Sequence, residues 1–368
     1  MSVAIMGAGL SGLACAITLE KQGIKPTIFE KRSRVGDRFI NGEVTFSLLN
    51  RPIKDEINLL KDKFDISLMP TAMMQKLVMH TKNEVGSLNG DMGYINVRGR
   101  HENSYENQLR GQVKSEKVFN SRFEYEQLCK EFEYVVLATG DGGYSTKLGN
   151  YRCDFTVAIK GSTVTGDFIK NKAEVWFNYD IIPKGYAWLI PFSEKEANLV
   201  IAYPEYPNNI KLDINEMWEK FYNLACNDLN QNLIITDSFE ISKYMIGICD
   251  KVVLDNTYFV GNCFGAISPG VGFGQITSIL SGIYSAYDIC KLGKYEELSK
   301  PLFNNYSHSL TLRRFFESLN DENLDVFARS LDAKFLDGLI DKVISNKSNI
   351  DILEILTPTL KLWNKLKR

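Results

Sequence analysis

Apolar residues enter the chain as an unbroken run, Val3-Ala4-Ile5-Met6, and then spread out at helical spacing over residues 10–22 before a second short run at residues 26–29. Runs without polar alternation suit strands covered on both faces, so strand, helix and strand predict a parallel β-α-β unit. Two later runs, at residues 133–139 and 257–261, carry the same signal, and each meets a glycine at its end. Between them, residues 153–244 change to alternating segments at 155–159, 173–178, 185–190 and 198–203, which predict antiparallel strands, with one helix at 214–225.

The remaining stretches complete the outline. Residues 31–50 mix charges with Gly36 and Gly42 and are expected to form a loop. Residues 52–68 repeat apolar positions at near-helical spacing, 94–97 and 117–120 suit short strands, and 100–114 suits a polar helix. A helix is expected to run through Ile289 after the turn at residues 269–274, and residues 296–368 look helical. The fold class is therefore α/β, a doubly wound and mostly parallel sheet with an inserted antiparallel domain and a helical C-terminus. Expected boundaries are 1–65, 91–150 and 251–295 for the first domain, 66–90 and 151–250 for the second, and 296–368 for the helical region.

Candidate chemistry concentrates at the first turn. Gly7, Gly9 and Gly12 permit a tight turn, close approach of backbone to a pyrophosphate, and close helix packing, while Leu10 and Ser11 open a helix whose N-terminus attracts anions. Glu30 ends the second strand, where a carboxylate accepts hydrogen bonds from ribose hydroxyls. Strand, glycine spacing, helix and acid together define a dinucleotide site.

Composition narrows the alternatives. Across 368 residues the 43 Lys and Arg are offset by 45 Asp and Glu, a net charge of −2 with no basic footprint for nucleic acid. The 7 cysteines lie far apart and there are 3 histidines, so no metal-ligand spacing arises, and reduced buried thiols in a cytoplasmic protein are expected. No signal peptide and no apolar stretch of the ~20 residues needed to span a membrane is visible. The terminal segment 360–368 mixes Leu and Trp with basic residues, and weak peripheral membrane contact is a reading kept open for it beside a solvated helix.

Three glycine-bearing strand ends, at Gly7, Gly140 and Gly261, can meet on one edge of such a sheet. With Asp141, Gly142 and Ser145 after the second, and Asn262, Pro269, Gly272 and Gly274 after the third, they resemble the three FAD fingerprints of the group that includes flavin-dependent hydroxylases. Within that group Tyr186-Ala187-Trp188-Leu189-Ile190-Pro191 is similar to the Tyr-x-Trp-x-Phe-Pro motif of the geranylgeranyl reductase family.

The resemblance implies an FAD-dependent oxidoreductase that reduces a carbon–carbon double bond of an apolar, prenyl-like substrate. NAD(P)H or a ferredoxin-like protein would supply electrons. It implies that Glu30 and Lys31 lie at the adenosine, Arg38 and Gly42 along the pyrophosphate and flavin, Val118 beside adenine, and Arg100 against the cofactor from a helix. Gly270, Gly272, Phe273 and Gly274 would present backbone N–H groups to the flavin, and Tyr186, Trp188 and Pro191 would wall the substrate pocket. Asp141 has two readings, contact with cofactor or brace of a turn. Tyr186 and Tyr203 are candidate proton donors.

Two departures stand out. Asn262 replaces the usual Asp of the third fingerprint, keeping an acceptor but losing the charge, and Asn41-Gly42 replaces a Cys-Gly pair. The similar Trp-x-Trp-x-Ile-Pro motif of flavin halogenases leaves a monooxygenase or halogenase open as the alternative, beside non-redox flavin catalysis and a flavin-binding protein without turnover.

Overall fold

The computed structural model describes residues 1–50 and 53–331. The chain runs through β1 (Val3–Met6), α1 (Leu10–Lys21), β2 (Thr27–Phe29), β3 (Asn41–Phe46), α2 (Glu56–Phe64), β4 (Ala72–His80), β5 (Val85–Arg98) and α3 (Tyr105–Arg110). It continues as β6 (Lys117–Val118), α4 (Tyr125–Glu131), β7 (Tyr134–Leu137), α5 (Gly143–Lys147), β8 (Tyr151–Thr165), β9 (Lys172–Trp176), β10 (Tyr186–Pro191) and β11 (Glu196–Pro204). Then follow α6 (Ile214–Asp228), β12 (Ile234–Cys249), β13 (Val253–Leu254), β14 (Thr257–Phe259), α7 (Gln275–Ile289), α8 (Tyr295–Leu298), α9 (Lys300–Ser318) and α10 (Asp321–Leu331).

Two sheets organise these elements. The first has the order β13-β14-β7-β1-β2-β6, parallel except for the β13–β14 edge pair. Strand order reverses beside β1, so the carboxyl ends of β1 and β7 flank the crevice where ligands bind in such sheets. Helix α1 is buried from Leu10 to Leu19 because it lies between the sheet and α7. Small residues make that approach possible: a Cβ on Gly282 would stand 2.1 Å from the Ser11 carbonyl oxygen.

The second sheet has the order β12-β8-β11-β10-β9-β4-β5-β3. Strand alternation gives it two apolar faces. Ala187 and Leu189 of β10 pack with Met217, Trp218 and Phe221 of α6, while Trp188 and Ile190 pack with Val44 and Ile95. The α/β class with a mostly parallel sheet, a second sheet and C-terminal helices matches the sequence expectation.

Several local expectations fail. Residues 31–50 are not all loop, because 41–46 form β3 against β5; Glu43 and Val44 alternate polar and apolar there, which the flanking glycines and charges obscured. The strand expected at 94–97 is the end of the 14-residue β5, and the helix expected over 100–114 is confined to α3. Ser104 sets its start by accepting from the Asn107 N–H at 3.3 Å. The second sheet is not purely antiparallel, since β4 and β9 pair in parallel. Strand β12 was missed although Phe239 and Ile241 alternate with Ser238, Glu240 and Ser242, a stretch that the sequence reading did not take up. The sequence boundaries leave β3 and the end of β5 with the first domain, whereas both pair into the second sheet. Residues 332–368, including the basic terminal segment, lie outside the described residues, as does the Pro52 start of the helix expected at 52–68.

Candidate cofactor and substrate cleft

A cleft of about 380 Å³ opens at the carboxyl ends of β1 and β7 and extends to the second sheet. Its floor is the turn after β1. Gly7 has φ +117°, and a Cβ there would lie 2.2 Å from the Ala138 carbonyl oxygen, so β1 and β7 can approach only with glycine. Gly12 plays the packing role, since its Cβ would meet the Gly7 carbonyl oxygen at 2.1 Å. Gly9 is different: a Cβ would meet nothing within 4 Å, and the residue lines the cleft. The first turn of α1 has neither a side-chain cap nor an acidic residue, leaving its positive end for an anionic ligand.

Glu30 stands at the rim. Its two carboxylate oxygens accept from the Ala8 N–H and the Arg32 N–H, each at 2.9 Å, and its own N–H donates to the Val118 carbonyl at 2.9 Å. Val118 thus anchors Glu30 and does not itself line the cleft. Lys31 and Arg38 do, and the Arg38 guanidinium lies over Gly140, where a Cβ would approach it to 3.1 Å. Asn262 donates to the Gly140 carbonyl at 2.9 Å and to the Tyr244 hydroxyl at 2.6 Å, tying the two strand ends together. Gly261, at φ +59°, has Ser11 Oγ 2.5 Å from its Cβ position. Asp141 accepts from the Gly143 N–H at 2.9 Å within its own turn and also lines the cleft, so the structure leaves both of its readings standing.

The turn before α7 is only partly available. The Gly270 N–H donates to Ser309 Oγ at 2.9 Å and the Gly272 N–H to the Ser268 carbonyl at 2.8 Å, so neither of these two expected donors is free. Gly270 lies off the cleft, while Gly272, Phe273 and Gly274 line it. Trp188 faces Phe273 edge-on at 5.8 Å and stacks obliquely on Tyr186 at 5.6 Å. Loss of solvent pushes the Tyr186 phenol up to about 12, and its hydroxyl lies 2.8 Å from a Gly272 Cβ position.

Other expected residues fall elsewhere. Pro191, odd-numbered on β10, faces the opposite side with His80 and Glu174. Gly42 packs on Ile190, which would be 2.9 Å from its Cβ, and is not on the cleft wall. Arg100 precedes α3 instead of riding on a helix, and pairs with Asp237 at 2.5 Å away from the cleft lining. Tyr203 is buried with the α6 cluster.

The sequence reading missed the polar wall. Arg98 binds Glu43 at 2.8 Å and Glu106 at 2.8 Å, and all three line the cleft beside Tyr244. Burial pushes the Glu43 carboxyl up; Arg98 opposes that shift and the Glu106 charge adds to it. Burial likewise raises the Tyr244 phenol. Alternation in 41–46 was the available signal, hidden by taking the segment as loop.

A family model described as an NAD(P)-binding Rossmann-like domain matches residues 5–49. A digeranylgeranylglycerophospholipid reductase of Thermoplasma volcanium is 21% identical over 96% of this chain and 95% of its own length. A second such reductase, from Methanosphaera stadtmanae, is 26% identical over 66% of this chain and 62% of its own. Among solved structures, a geranylgeranyl bacteriochlorophyll reductase-like protein of Thermoplasma acidophilum superposes with a TM-score of 0.70 at 14% identity, over 98% of each chain. A flavin-dependent brominase gives 0.66 at 13% over the whole of both chains. A halogenase in complex with FAD gives 0.65 at 14%, over 99% of this chain and 85% of its own.

Fold, glycine turn and cleft define an FAD-dependent oxidoreductase acting on a small molecule with a reductant. In sequence and in fold the chain is similar to reductases of the geranylgeranyl type. The residues fit the cofactor: an open Gly9, an uncapped helix end and an oriented acid lie in line on one cleft. No helix among the described residues is long and apolar enough to cross a membrane.

Proposed function

We propose that the protein reduces a carbon–carbon double bond of an apolar, prenyl-like substrate. The observation that carries this is the far wall of the cleft, where Ile159, Trp188, Phe239, Ile241 and Phe273 form an apolar surface continuous with the glycine turn. Bound FAD supplies a two-electron carrier that exchanges hydride with carbon. Gly7, Gly9, Leu10 and Ser11 hold its pyrophosphate at the α1 N-terminus, with Gly12 keeping that helix close. Glu30 and Lys31 take the adenosine end, Arg38 crosses the middle above Gly140, and Gly261, Asn262, Gly272, Phe273 and Gly274 border the ring. Tyr186 backs Trp188 and sets its tilt toward the substrate. The substrate class also agrees with the names of the two reductase relatives. Electrons come from NAD(P)H or a ferredoxin-like carrier.

The test is anaerobic incubation of FAD-loaded, dithionite-reduced protein with digeranylgeranylglycerophospholipid. Two hydrogens gained per reduced bond, read by mass spectrometry, is the expected result. A second reading, oxygen-dependent halogenation or hydroxylation, is favoured by the brominase and halogenase folds. An unchanged lipid, together with halide- or substrate-stimulated oxygen consumption, would decide for it.

A further inference from the structure

The polar wall continues behind the cleft. Residues directly opposite in an antiparallel pair share a face, so the register Asn41 with Arg98, Glu43 with Asn96, and Thr45 with Tyr94 puts six polar side chains on one face of β3–β5. The other face, with Val44 and Ile95, is core. Such a polar face is costly unless every group is hydrogen-bonded. Four atoms in this region are not: Thr45 Oγ1, both amide atoms of Asn96 and the Tyr105 hydroxyl are buried with no protein partner.

Those four atoms lie among ionisable groups. Tyr105 is fully buried at the start of α3, within electrostatic reach of Arg98, Glu56, Tyr94 and Glu43. Glu56 is buried and accepts from Ser47 at 2.7 Å and from Asn50 at 2.8 Å. Tyr94 donates to Asp55 at 2.8 Å, and Asp55 caps the more exposed start of α2. At the cleft end, Glu43 accepts from Arg98 and, at 3.2 Å, from Asn41. Arg98 is shared with Glu106, and Tyr244 borders the same wall. Among the described residues, Arg98 is therefore the one guanidinium paired with Glu43 and Glu106, and Glu56 is held by the neutral Ser47 and Asn50. Buried polar atoms without protein partners are the sites where ordered water is held, each water joining two to four such groups.

We propose that Glu43 is the carboxyl that delivers the proton in the reduction, and that Thr45, Asn96 and Tyr105 hold buried water through which Glu56 and the Tyr94–Asp55 pair recharge it. This rests on the reductase reading above. The double bond takes a hydride at one carbon from the reduced flavin, which is thereby oxidised by two electrons. The Glu43 O–H bond breaks and its proton forms the new C–H bond at the other carbon. The carboxylate left behind recovers a proton from the water chain, and ultimately from solvent. Burial holds both Glu43 and Glu56 above the usual carboxylate range, which keeps protons available on the path.

The experiment combines infrared titration of the cofactor-free protein with turnover of the FAD-loaded protein. A Glu43 carboxyl stretch is expected to persist to higher pH than that of an ordinary carboxyl, its share of the band being lost in Glu43→Gln and kept in Glu43→Asp while the Glu56 share stays. With dithionite as reductant and digeranylgeranylglycerophospholipid as substrate, Glu43→Gln is expected to lower turnover about 100-fold or more, with Glu43→Asp restoring part of it. Tyr105→Phe and Asn96→Leu act on recharging, so they are expected to lower steady-state turnover and shift the alkaline limb of its pH profile while leaving a single turnover intact. A Glu43→Gln protein that folds, binds FAD and turns over at the wild-type rate overturns the proposal, as does a wild type with no Glu43 carboxyl stretch. If the stretch is present and Glu43-dependent but the lipid is never reduced, the reductase reading fails and takes the catalytic role with it, leaving only proton storage at Glu43.

Discussion

Two buried acids on the same eight-stranded sheet have opposite fates. Glu174 on β9 accepts from His80 at 2.7 Å and lies 2.6 Å from the Lys172 ammonium; burial alone would push its carboxyl up, yet these two partners hold it below the usual range. Glu43 on β3 shares one guanidinium with a second acid, and there burial prevails and the carboxyl is raised. Both side chains are largely shielded from water, at 4% and 14% exposure, so burial does not separate them. What separates them is that Glu174 has its partners to itself, whereas Glu43 shares Arg98 with a second acid whose charge adds to the shift. A well-paired acid is held ionised as part of the scaffold, whereas an under-paired acid on a cleft wall keeps its proton to higher pH than an ordinary carboxyl.

The largest effect that could break this contrast is on stability. Glu174→Gln leaves the Lys172 ammonium without its charge partner and disturbs the His80 hydrogen bond, and is expected to cost about 3–5 kcal/mol in urea denaturation, with FAD affinity of the folded fraction unchanged. A loss of FAD binding with intact stability would reverse the assignment of the two acids.

A second, smaller effect is the sign of the pH dependence. The lowered Glu174 carboxyl contributes stability that is present above its ordinary value of 4.5 and lost as pH falls through the folded value. The raised Glu43 carboxyl does the opposite: its contribution is present below 4.5 and lost as pH rises through the folded value. Urea midpoints measured between about pH 4.5 and pH 8 are therefore expected to fall less steeply with rising pH in Glu43→Gln than in the wild type. An unchanged slope would mean that Glu43 is as well paired as Glu174.

The smallest effect concerns Arg100, a charge outside both clusters. Its pair with Asp237 is exposed at 39% and 28%, so Arg100→Ala is expected to change stability by about 0–1 kcal/mol and leave the FAD dissociation constant unaltered. A tenfold weakening of FAD binding, read by flavin fluorescence, would return Arg100 to the cofactor site.

The first sheet was largely legible because its strands are contiguous apolar runs and its glycines occupy positions where a side chain would collide with backbone. Val3–Met6, Tyr134–Leu137 and Thr257–Phe259 all formed where apolar runs were read, and Glu30 ended β2. Less could be seen in the second sheet. Strand β3 was masked by glycine and charge, the alternation at 238–242 in β12 was passed over, and the helix assigned around Arg100 was stopped short by the Ser104 cap. Within the motif at residues 186–191, strand period 2 placed Tyr186 and Trp188 together and sent Pro191 to the other face, a consequence already implicit in the strand assignment.

By itself the sequence determined the dinucleotide turn and the α/β class, because glycine positions and apolar periodicity are local properties that backbone sterics and burial translate directly into structure. Only the tertiary structure decided which polar groups share a wall. Glu43, Arg98 and Glu106 come together through the pairing of β3 with β5 and the packing of α3 beside them. How many cations each buried acid has is a property of that packing, since charge pairing depends on distance and dielectric in the folded molecule and leaves no period along the chain.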